Sequence, residues 1–383
     1  MIGKGFGRLR SWLILAHKTI GLTLGPIFMM IGLSGSILVY REALDEWLNP
    51  DLIHIETGPG QSYRSIDDIF NAAKGAMPPG AKPERITMSR HSMAATVVTY
   101  LSETDDLDTF VYDVFVDPYR AKVKGQRLKI HGDDRFSQPL VQILMDFHWT
   151  LLLGENKAFL IGGIAIFIFL SILIGLILWW PVNGNWRLGL KIKWSATNQR
   201  LIFDLHRVTG IYLGSILLMS LFTGAAMIFK PVTRDLVSLI SPVMDNKDFG
   251  KSRPLDVTTP IDVGAAVRIA DKVFPEGKLH WILLPTSPTG VYIVGKQSLQ
   301  EPNRSQTFRN VGIDQYSGVI TRVQDRDTYR MGDKFMEWLF PLHSGEVLGE
   351  IGRSVYVLLG LTPLVLFVTG LLRWISKNRA RTS

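Results

Sequence analysis

The residues best suited to chemistry in this sequence are four histidines that recur at matching places in two halves of the chain. His17 and His206 each open an apolar segment, and each is followed by glycines at +4, +8 and +18. His148 and His343 each precede another apolar segment, with Gly-Glu at +6 and +7, glycine at +27 and tryptophan at +31. Imidazole is the commonest metal ligand among side chains and binds through one neutral ring nitrogen. The repetition of each histidine with its surroundings indicates an internal duplication and favours a shared chemical role.

The glycines of these segments also repeat. Those at +4 and +8 lie on nearly the same helical face, where a missing side chain would let a flat macrocycle or another helix approach closely. Small residues at four-residue spacing more commonly mark helix packing than a cofactor pocket, so both interpretations stay open. The repeated glycines are Gly21, Gly25 and Gly35, Gly210, Gly214 and Gly224, and the later pair Gly175 and Gly370.

Four long uncharged runs must position these histidines. Each run is about as long as the roughly 20 apolar residues needed to cross a hydrocarbon core, so the sequence predicts a membrane protein with a four-helix transmembrane bundle. The first run exceeds the usual signal-peptide core and is not expected to be cleaved. The runs are Thr19–Tyr40, Ala158–Trp186, Val208–Phe229 and Ser354–Leu372.

The net charge of +8 is unevenly distributed along the chain. Residues 1–18, 187–207 and 373–381 contain thirteen Lys and Arg and a single acid, Asp204, whereas 41–157 and 230–353 together are net acidic. By the positive-inside rule, both termini and the central loop are expected in the cytoplasm, and the two long segments are expected outside the membrane. The basic balance therefore does not indicate nucleic-acid binding.

The two long segments follow the same plan of a helix and then several short strands with period-2 character. Each is predicted to form a small α+β domain, with a turn at Asp117-Pro118-Tyr119 in the first and at Asp314-Gln315-Tyr316 in the second. The duplication is parallel, because both copies have the same number of spans in the same orientation. The predicted divisions are 1–40 (N-terminus and first span), 41–140 (first outer domain), 141–186 (histidine segment and second span), 187–207 (cytoplasmic loop), 208–230 (third span), 231–335 (second outer domain), 336–375 (histidine segment and fourth span) and 376–383 (tail).

This topology assigns His17 and His206 to the cytoplasmic face and His148 and His343 to the outer face. Two histidines at each face predict two bis-histidine haem sites, since haem iron accepts an imidazole on each axial face. The chain has no cysteine, which excludes disulfides, thiolate metal sites and covalent c-type attachment, so any haem would be held without a covalent tether, by its axial ligands and by packing. The alternative is that each histidine is only an interfacial polar residue. The outer two precede their uncharged runs by some distance and could lie on a turn or short helix, and His54, His91, His131 and His280 do not repeat and are interpreted as ordinary residues of the outer domains.

Charged and aromatic neighbours extend the predicted sites. Lys18 and Arg207 inside, with Arg353 outside, could bind haem propionates, although membrane anchoring or snorkelling explains each of them equally well. Trp149 and Trp338 could line an entry for a substrate at the outer face, although tryptophan is also the usual interfacial anchor.

The sequence resembles the PepSY-associated transmembrane family. The resemblance rests on the His-x3-Gly-x3-Gly segments, the His-x5-Gly-Glu segments and the turns DPY and DQYSG, and it covers nearly the whole chain. Among the members of this family, the chain resembles bacterial inner-membrane siderophore reductases of the FoxB (ferrioxamine) type. The resemblance implies b-type haems held by His17, His206, His148 and His343, with delivery of electrons to ferric siderophores in the periplasm.

The function expected from these features is transmembrane electron transfer. Electrons from a quinol or a cytoplasmic reductase would pass from the inner haem to the outer one and reduce a ferric siderophore. Reduction would release Fe(II), because hard siderophore oxygens prefer Fe(III). No protein acid or nucleophile is needed. Two alternatives remain: a non-enzymatic PepSY-type sensor or anchor for a peptide or protein partner, and a siderophore or iron permease, which the lack of acidic residues in the four runs disfavours.

Overall fold

The protein is described by a computed structural model that covers residues 2–382. It does not describe residues 78–79, 104–108, 132–133, 135, 181–183, 185, 245–247, 255–258, 299–300 and 302–304. The chain divides into two compact units. One, here the helical unit, contains residues 1–41, 144–239 and 335–383; the other, here the sheet unit, contains residues 42–143 and 240–334.

The secondary structure alternates between the two units along the chain. The helices are α1 Ile2–Thr23, α2 Gly25–Leu38, α3 Arg41–Leu48, α4 Pro50–Ile53, α5 Ile66–Lys74, α6 Leu140–Thr150, α7 Ala158–Trp179, α8 Trp186–Gly189, α9 Asn198–Ile228, α10 Lys230–Ser238, α11 Val263–Val273, α12 Met331–Ser344 and α13 Gly349–Thr382. The strands are β1 Lys82–Thr87, β2 Thr96–Glu103, β3 Thr109–Asp117, β4 Lys122–His131, β5 Lys278–Leu283, β6 Val291–Gln297, β7 Arg309–Asp314 and β8 Ile320–Gln324.

Three helical stretches in the described chain are long and apolar enough to cross a membrane: Leu140–Trp179, Asn198–Ile228 and Glu346–Arg379. A fourth candidate is broken. Gly7–Thr23 and Gly25–Leu38 meet at a bend of 58°, where Pro26 lies in the first turn of α2. Proline has no N–H to donate to the preceding turn, so the helix bends at this point.

The helical unit packs through small residues and an apolar core. Helix α7 lies against α9, and α2 lies against α13. A methyl group added at Gly360 would lie 2.6 Å from the carbonyl oxygen of Gly32, so the α2 and α13 backbones are in direct contact. Such contact is the usual way that membrane helices gain packing energy. One cluster of buried side chains in this unit contains Phe28, Ile168, Leu217, Leu221 and Leu359.

Two helix boundaries differ from the sequence prediction. Helix α9 begins at Asn198, so the second half of the predicted loop 187–207 is helical and His206 lies two turns inside the helix. Arg200 and the fully buried Asp204 form an ion pair one turn apart, 3.1 Å from nitrogen to oxygen, which supports this first part of α9. Helix α13 likewise continues through the predicted tail to Thr382.

The sheet unit contains one eight-stranded antiparallel sheet with the strand order β4-β3-β2-β1-β5-β6-β7-β8. The sequence predicts two separate outer domains, 41–140 and 231–335, but the structure corrects this prediction, because the two four-stranded meanders pair through β1 and β5. Ile86 and Ile282, both fully buried, are opposite each other at this junction. The pairing removes two exposed strand edges that isolated domains would have to protect.

Helices α5 and α11 pack on this sheet and share one core with it. Ile69 and Ala73 of α5 and Ala266 and Ala270 of α11 are at most 1% exposed and contact the strands of both meanders. In each segment a helix is followed by several strands, which is the plan that the sequence pattern predicts. The continuous core explains why the two segments form a single domain.

Candidate functional site: two histidine pairs

The first pair of histidines joins the two halves of the helical unit. His17 lies on α1 and His206 on α9, and their ring centroids are 6.2 Å apart with an interplanar angle of 76°. The two side chains are separated by 189 positions in the sequence. The structure therefore brings together two of the four histidines selected from the repeat.

The second pair has the same spacing. His148 lies on the short helix α6 and His343 on the short helix α12, and their ring centroids are also 6.2 Å apart, at 58°. Both residues thus lie on short helices that precede α7 and α13, which is one of the two placements that the sequence left open. Each pair takes one histidine from each half of the chain.

Every one of these imidazoles is held by a backbone carbonyl of a neighbouring helix. The Nδ1 atom of His17 is 2.8 Å from the Ser171 oxygen, and that of His206 is 3.1 Å from the Leu366 oxygen. A carbonyl oxygen can only accept a hydrogen bond, so Nδ1 carries the proton and Nε2 keeps its lone pair. The corresponding contacts in the second pair are His148 with the Ile31 oxygen at 3.0 Å and His343 with the Ser220 oxygen at 2.9 Å.

A side-chain hydroxyl adds a second contact to each Nδ1. The hydroxyls of Ser171 and Thr369 lie 3.0 Å from the Nδ1 atoms of His17 and His206. The hydroxyls of Ser34 and Thr223 lie 3.1 and 3.3 Å from those of His148 and His343. Contacts of this kind fix the tautomer and the orientation of an imidazole ligand.

Each imidazole lies directly against a glycine one helical turn beyond its carbonyl partner. A Cβ atom added at the glycine would meet the Cε1 atom of the ring at 2.9–3.3 Å, so any larger residue would displace the histidine. We call the glycine that contacts each imidazole ring the seat of that histidine. The seats are Gly175 for His17, Gly370 for His206, Gly35 for His148 and Gly224 for His343.

The seats are the glycines at +18 and +27, whereas the sequence argument placed the close approach at +4 and +8. Gly21 and Gly210, the +4 glycines, have no contact closer than 3.7 Å for an added Cβ. The +8 glycine Gly25 accommodates the ring of Phe367 instead of a histidine. The sequence could have indicated these glycines, because those at +18 and +27 recur in both halves. Three of the four directly follow a serine or threonine.

Helix α9 connects the two pairs. His206 of the first pair and Gly224, the seat of the second, are eighteen residues apart on α9. Eighteen residues are five full turns, so both face the same side, about 27 Å apart along the helix axis. The site therefore has two levels within one helical unit.

The predicted cationic residues have different surroundings. An Nη2 atom of Arg207 lies 2.9 Å from Asp204 and donates to the carbonyls of Leu188 and Lys191. Arg353 donates to the carboxylate of Glu350 and to the carbonyl of Val39. Lys18 is exposed. Both arginines thus already stabilise the helical unit, and the fully buried Asp204 is a structural residue that the sequence analysis did not select.

Other candidates from the sequence remain apart from these pairs. Trp149 is next to His148 on α6, and Trp338, 38% exposed, lies on α12. No ring contact joins these two indoles in the described part of the chain. His54, His91, His131 and His280 belong to the sheet unit. Across the residues that the structure describes, no three His, Cys, Asp or Glu side chains converge into a group that could hold a metal ion.

The fold and the site define a class: a membrane protein whose helices present two histidine pairs and whose remaining segments form a mixed α and β domain. Comparison with known families matches residues 14–377 to the PepSY-associated TM region. The chain therefore belongs to the PepSY-associated transmembrane family. No curated protein matches the chain significantly.

Proposed function

We propose that the chain binds two b-type haems, one at each histidine pair, and passes electrons across a bacterial inner membrane to a ferric siderophore in the periplasm. The observation that carries the proposal is the repeated geometry of the pairs: two imidazoles at 6.2 Å, each with Nδ1 bonded to a carbonyl and its ring against a glycine.

The donor set suits haem better than a bare metal ion. A structural zinc site requires four protein ligands and a catalytic one three, whereas each pair supplies two. Haem iron takes four nitrogens from its own ring and needs only two from the protein. With a metal–imidazole bond of about 2 Å, two rings on opposite sides of one iron have centroids about 6 Å apart, which agrees with both pairs.

Bound haem would alternate between the ferric and ferrous states and so carry one electron. The chain's own residues would fix the ligands. The carbonyls of Ser171, Leu366, Ile31 and Ser220 hold the Nδ1 protons and direct the Nε2 lone pairs away from the supporting helices.

The two levels support a transmembrane route. The first pair lies beside the basic segments around residues 187–207 and 373–381, which the positive-inside rule places in the cytoplasm. The second pair lies about five turns away along α9, towards the periplasm on this topology. A cofactor at each level divides the crossing into shorter transfers.

The proposed reaction is a one-electron reduction. A quinol or cytoplasmic reductase supplies the electron, and the siderophore-bound Fe(III) becomes Fe(II), with no covalent bond to the protein formed or broken. The chelate then weakens, because its hard oxygen donors suit the ferric ion. Trp149 and Trp338 remain the predicted lining of the docking site.

The direct test uses the purified full-length protein reduced anaerobically with limiting dithionite. Addition of ferrioxamine B is expected to reoxidise the protein, and ferrozine is expected to capture one Fe(II) per electron removed. A matched addition of the gallium complex, which cannot be reduced, controls for binding effects on the spectrum. A coloured protein that stays reduced in the presence of ferrioxamine would contradict the siderophore assignment. A colourless protein from haem-replete cells would favour the sensor or anchor alternative.

A further inference from the structure

Three arginines, two from α9 and one from α13, surround the phenyl ring of Phe203 on α9. The guanidinium carbon of Arg373 lies 4.2 Å from the centroid of the Phe203 ring. Those of Arg207 and Arg200 lie at 5.1 and 5.6 Å. Guanidinium groups bind readily to the face of an aromatic ring. The cluster contains one carboxylate, that of Asp204, and therefore has an excess of positive charge.

Arg373 differs from the other two arginines in its partners. Arg200 and Arg207 are paired with Asp204, at 3.1 and 2.9 Å. Arg373 is half-buried, and in the described chain its ring contact with Phe203 is not accompanied by any ion pair or hydrogen bond. A partly desolvated guanidinium without an anion is energetically costly, so its placement favours an anionic ligand.

The location of Arg373 connects it to the first pair. It lies three residues after Gly370, the seat of His206, and Phe203 lies three residues before His206. The two helices therefore contact each other at successive turns, once through the histidine and once through the arginine.

The cluster is not a consequence of the duplication. At the repeat offsets of the two histidine segments, the first half has Leu178 where the second has Arg373, and Ile14 where it has Phe203. Beside the second pair there is one arginine near a phenyl ring: the guanidinium carbon of Arg41 lies 5.8 Å from the centroid of Phe340, three residues before His343. The first pair differs in that three guanidinium groups share one ring, the closest of them at 4.2 Å.

From these observations we propose that Arg373, oriented by the face of Phe203, binds a carboxylate of the tetrapyrrole held between His17 and His206. This inference rests on the proposed haem function and goes beyond it. It assigns the anion contact to Arg373, which the sequence analysis did not select, in place of Arg207 and Lys18. Arginine suits this role because its planar donors match a carboxylate.

The test measures haem affinity with and without the carboxylates. In a His343→Ala background, which removes the second site, the apo-protein is titrated with iron protoporphyrin IX and with its dimethyl ester, in which both carboxylates are masked. Arg373→Gln is expected to weaken binding of the free acid about 10- to 100-fold, as for loss of a charged hydrogen bond. Binding of the dimethyl ester should be the same with and without this substitution.

Arg200→Gln is the matched control, because it removes a second guanidinium from the same ring but one that is already paired with Asp204. It is expected to change either affinity by less than about threefold. Arg373→Lys, which keeps a positive charge, is expected to recover part of the affinity and shows that the Arg373→Gln protein is not simply misfolded.

Equal weakening of both porphyrins by Arg373→Gln, or no weakening of either, would overturn the proposal while leaving the haem function intact. Loss of a bound anionic lipid, seen by native mass spectrometry, with unchanged haem affinity would assign the cation to a lipid headgroup and also overturn it. If the unmodified protein binds neither porphyrin, the proposed function itself fails.

Discussion

At the scale of single residues, the histidines are defined as much by their supports as by their imidazoles. Each ring has a carbonyl on Nδ1 and a glycine against its Cε1 atom. The carbonyl and the glycine are one helical turn apart, so both present themselves on one face of the supporting helix. Histidines that served only as polar residues at the membrane surface would not require such a glycine at all four positions.

The glycine seats provide the first prediction. Gly224→Ala would place a Cβ atom 2.9 Å from Cε1 of His343 and is expected to displace that ring by several tenths of an ångström. The variant should retain the haem at the first pair and bind the one at the second pair poorly, as measured by haem content per chain. Gly163→Ala is the control, because nothing lies within 4 Å of a Cβ atom added there. Full haem content in Gly224→Ala would contradict the role of the seat.

A second prediction at this scale concerns Asp314 in the sheet unit. Burial alone would raise its pKa, but backbone N–H groups of Ser317, Arg253 and Tyr316 donate to the carboxylate at 2.9 Å and hold the pKa below the usual 3.8. A carboxyl with a lowered native pKa contributes stability above its unfolded pKa, and this is lost as the pH falls through the native value.

Asp314→Asn is therefore expected to lower the free energy of unfolding at pH 7 by about 1–3 kcal/mol, since an amide group would oppose one of these donors. The difference from the wild type should shrink as the pH is lowered below the ordinary carboxyl pKa. Thermal unfolding of the full chain in detergent between pH 7 and about pH 2 measures it, with the exposed Glu276→Gln as control. A difference that is independent of pH would exclude the charge as its cause.

Residue identity could be predicted from the sequence better than residue contact. The four histidines were selected because they repeat, but the helix that supports each one depends on packing across as many as 163 positions, as for His206 and Thr369. The spacing of residues along one helix does not indicate which other helix packs against it. Asp204 was missed for a related reason: its burial comes from Arg200, Arg207 and the backbone of Lys193, which only the folded chain brings around it.

At the scale of elements, helix α9 sets the distance between the two sites, and the α2–α13 contact holds the helices that support them. Helix α2 contains the seat of His148, and α13 contains the seat of His206. Their backbones touch at Gly32 and Gly360, so a change at this contact should affect both levels together.

Gly360→Ala is expected to separate these helices, because the new Cβ atom would lie 2.6 Å from the backbone oxygen of Gly32. Overpacking of this kind typically costs about 1–3 kcal/mol. The thermal stability should fall, and the haem content should fall at both pairs, in contrast to the one-site loss expected for Gly224→Ala. Retention of two haems with an unchanged melting temperature would show that the contact does not position the sites.

The elements themselves were largely predictable, with instructive exceptions. Strand β4 has a weak strand pattern in the sequence, because Lys122, Lys124, Arg127 and Lys129 interrupt its apolar residues. It is an edge strand of the sheet, and charged residues on edges prevent association with other chains. The broken first span was missed because an uncharged run has no information about the bend at Pro26.

At the scale of the whole molecule, duplication is the organising feature. Each half supports its own two histidines: α1 and α6 of the first half place His17 and His148 on α7 and α2, and the second half does the same. Each pair then combines one histidine from each half. The sheet follows the same rule, since two meanders meet at β1 and β5. The repeat can be recognised in the sequence. That each histidine pair and the sheet combine elements of both halves is seen only in the structure.

The proposed topology can be tested by cysteine labelling. Because the chain has no native cysteine, only an introduced cysteine would react. Glu276→Cys in the sheet unit and Lys377→Cys near the C-terminus are both at exposed positions. In spheroplasts, a membrane-impermeant maleimide should label the cysteine at 276 directly and the one at 377 only after permeabilisation. The opposite pattern would reverse the orientation inferred from the basic loops.

The most direct test of the central claim is the number of six-coordinate haems per chain in combined histidine variants, determined by pyridine haemochromogen assay and absorbance. The wild type should contain two, and each single His→Ala variant should contain one. The double variant His17→Ala/His206→Ala should still contain one, whereas His17→Ala/His148→Ala should contain none. A wild type without haem, or a His17→Ala/His148→Ala protein that keeps one, would contradict the account.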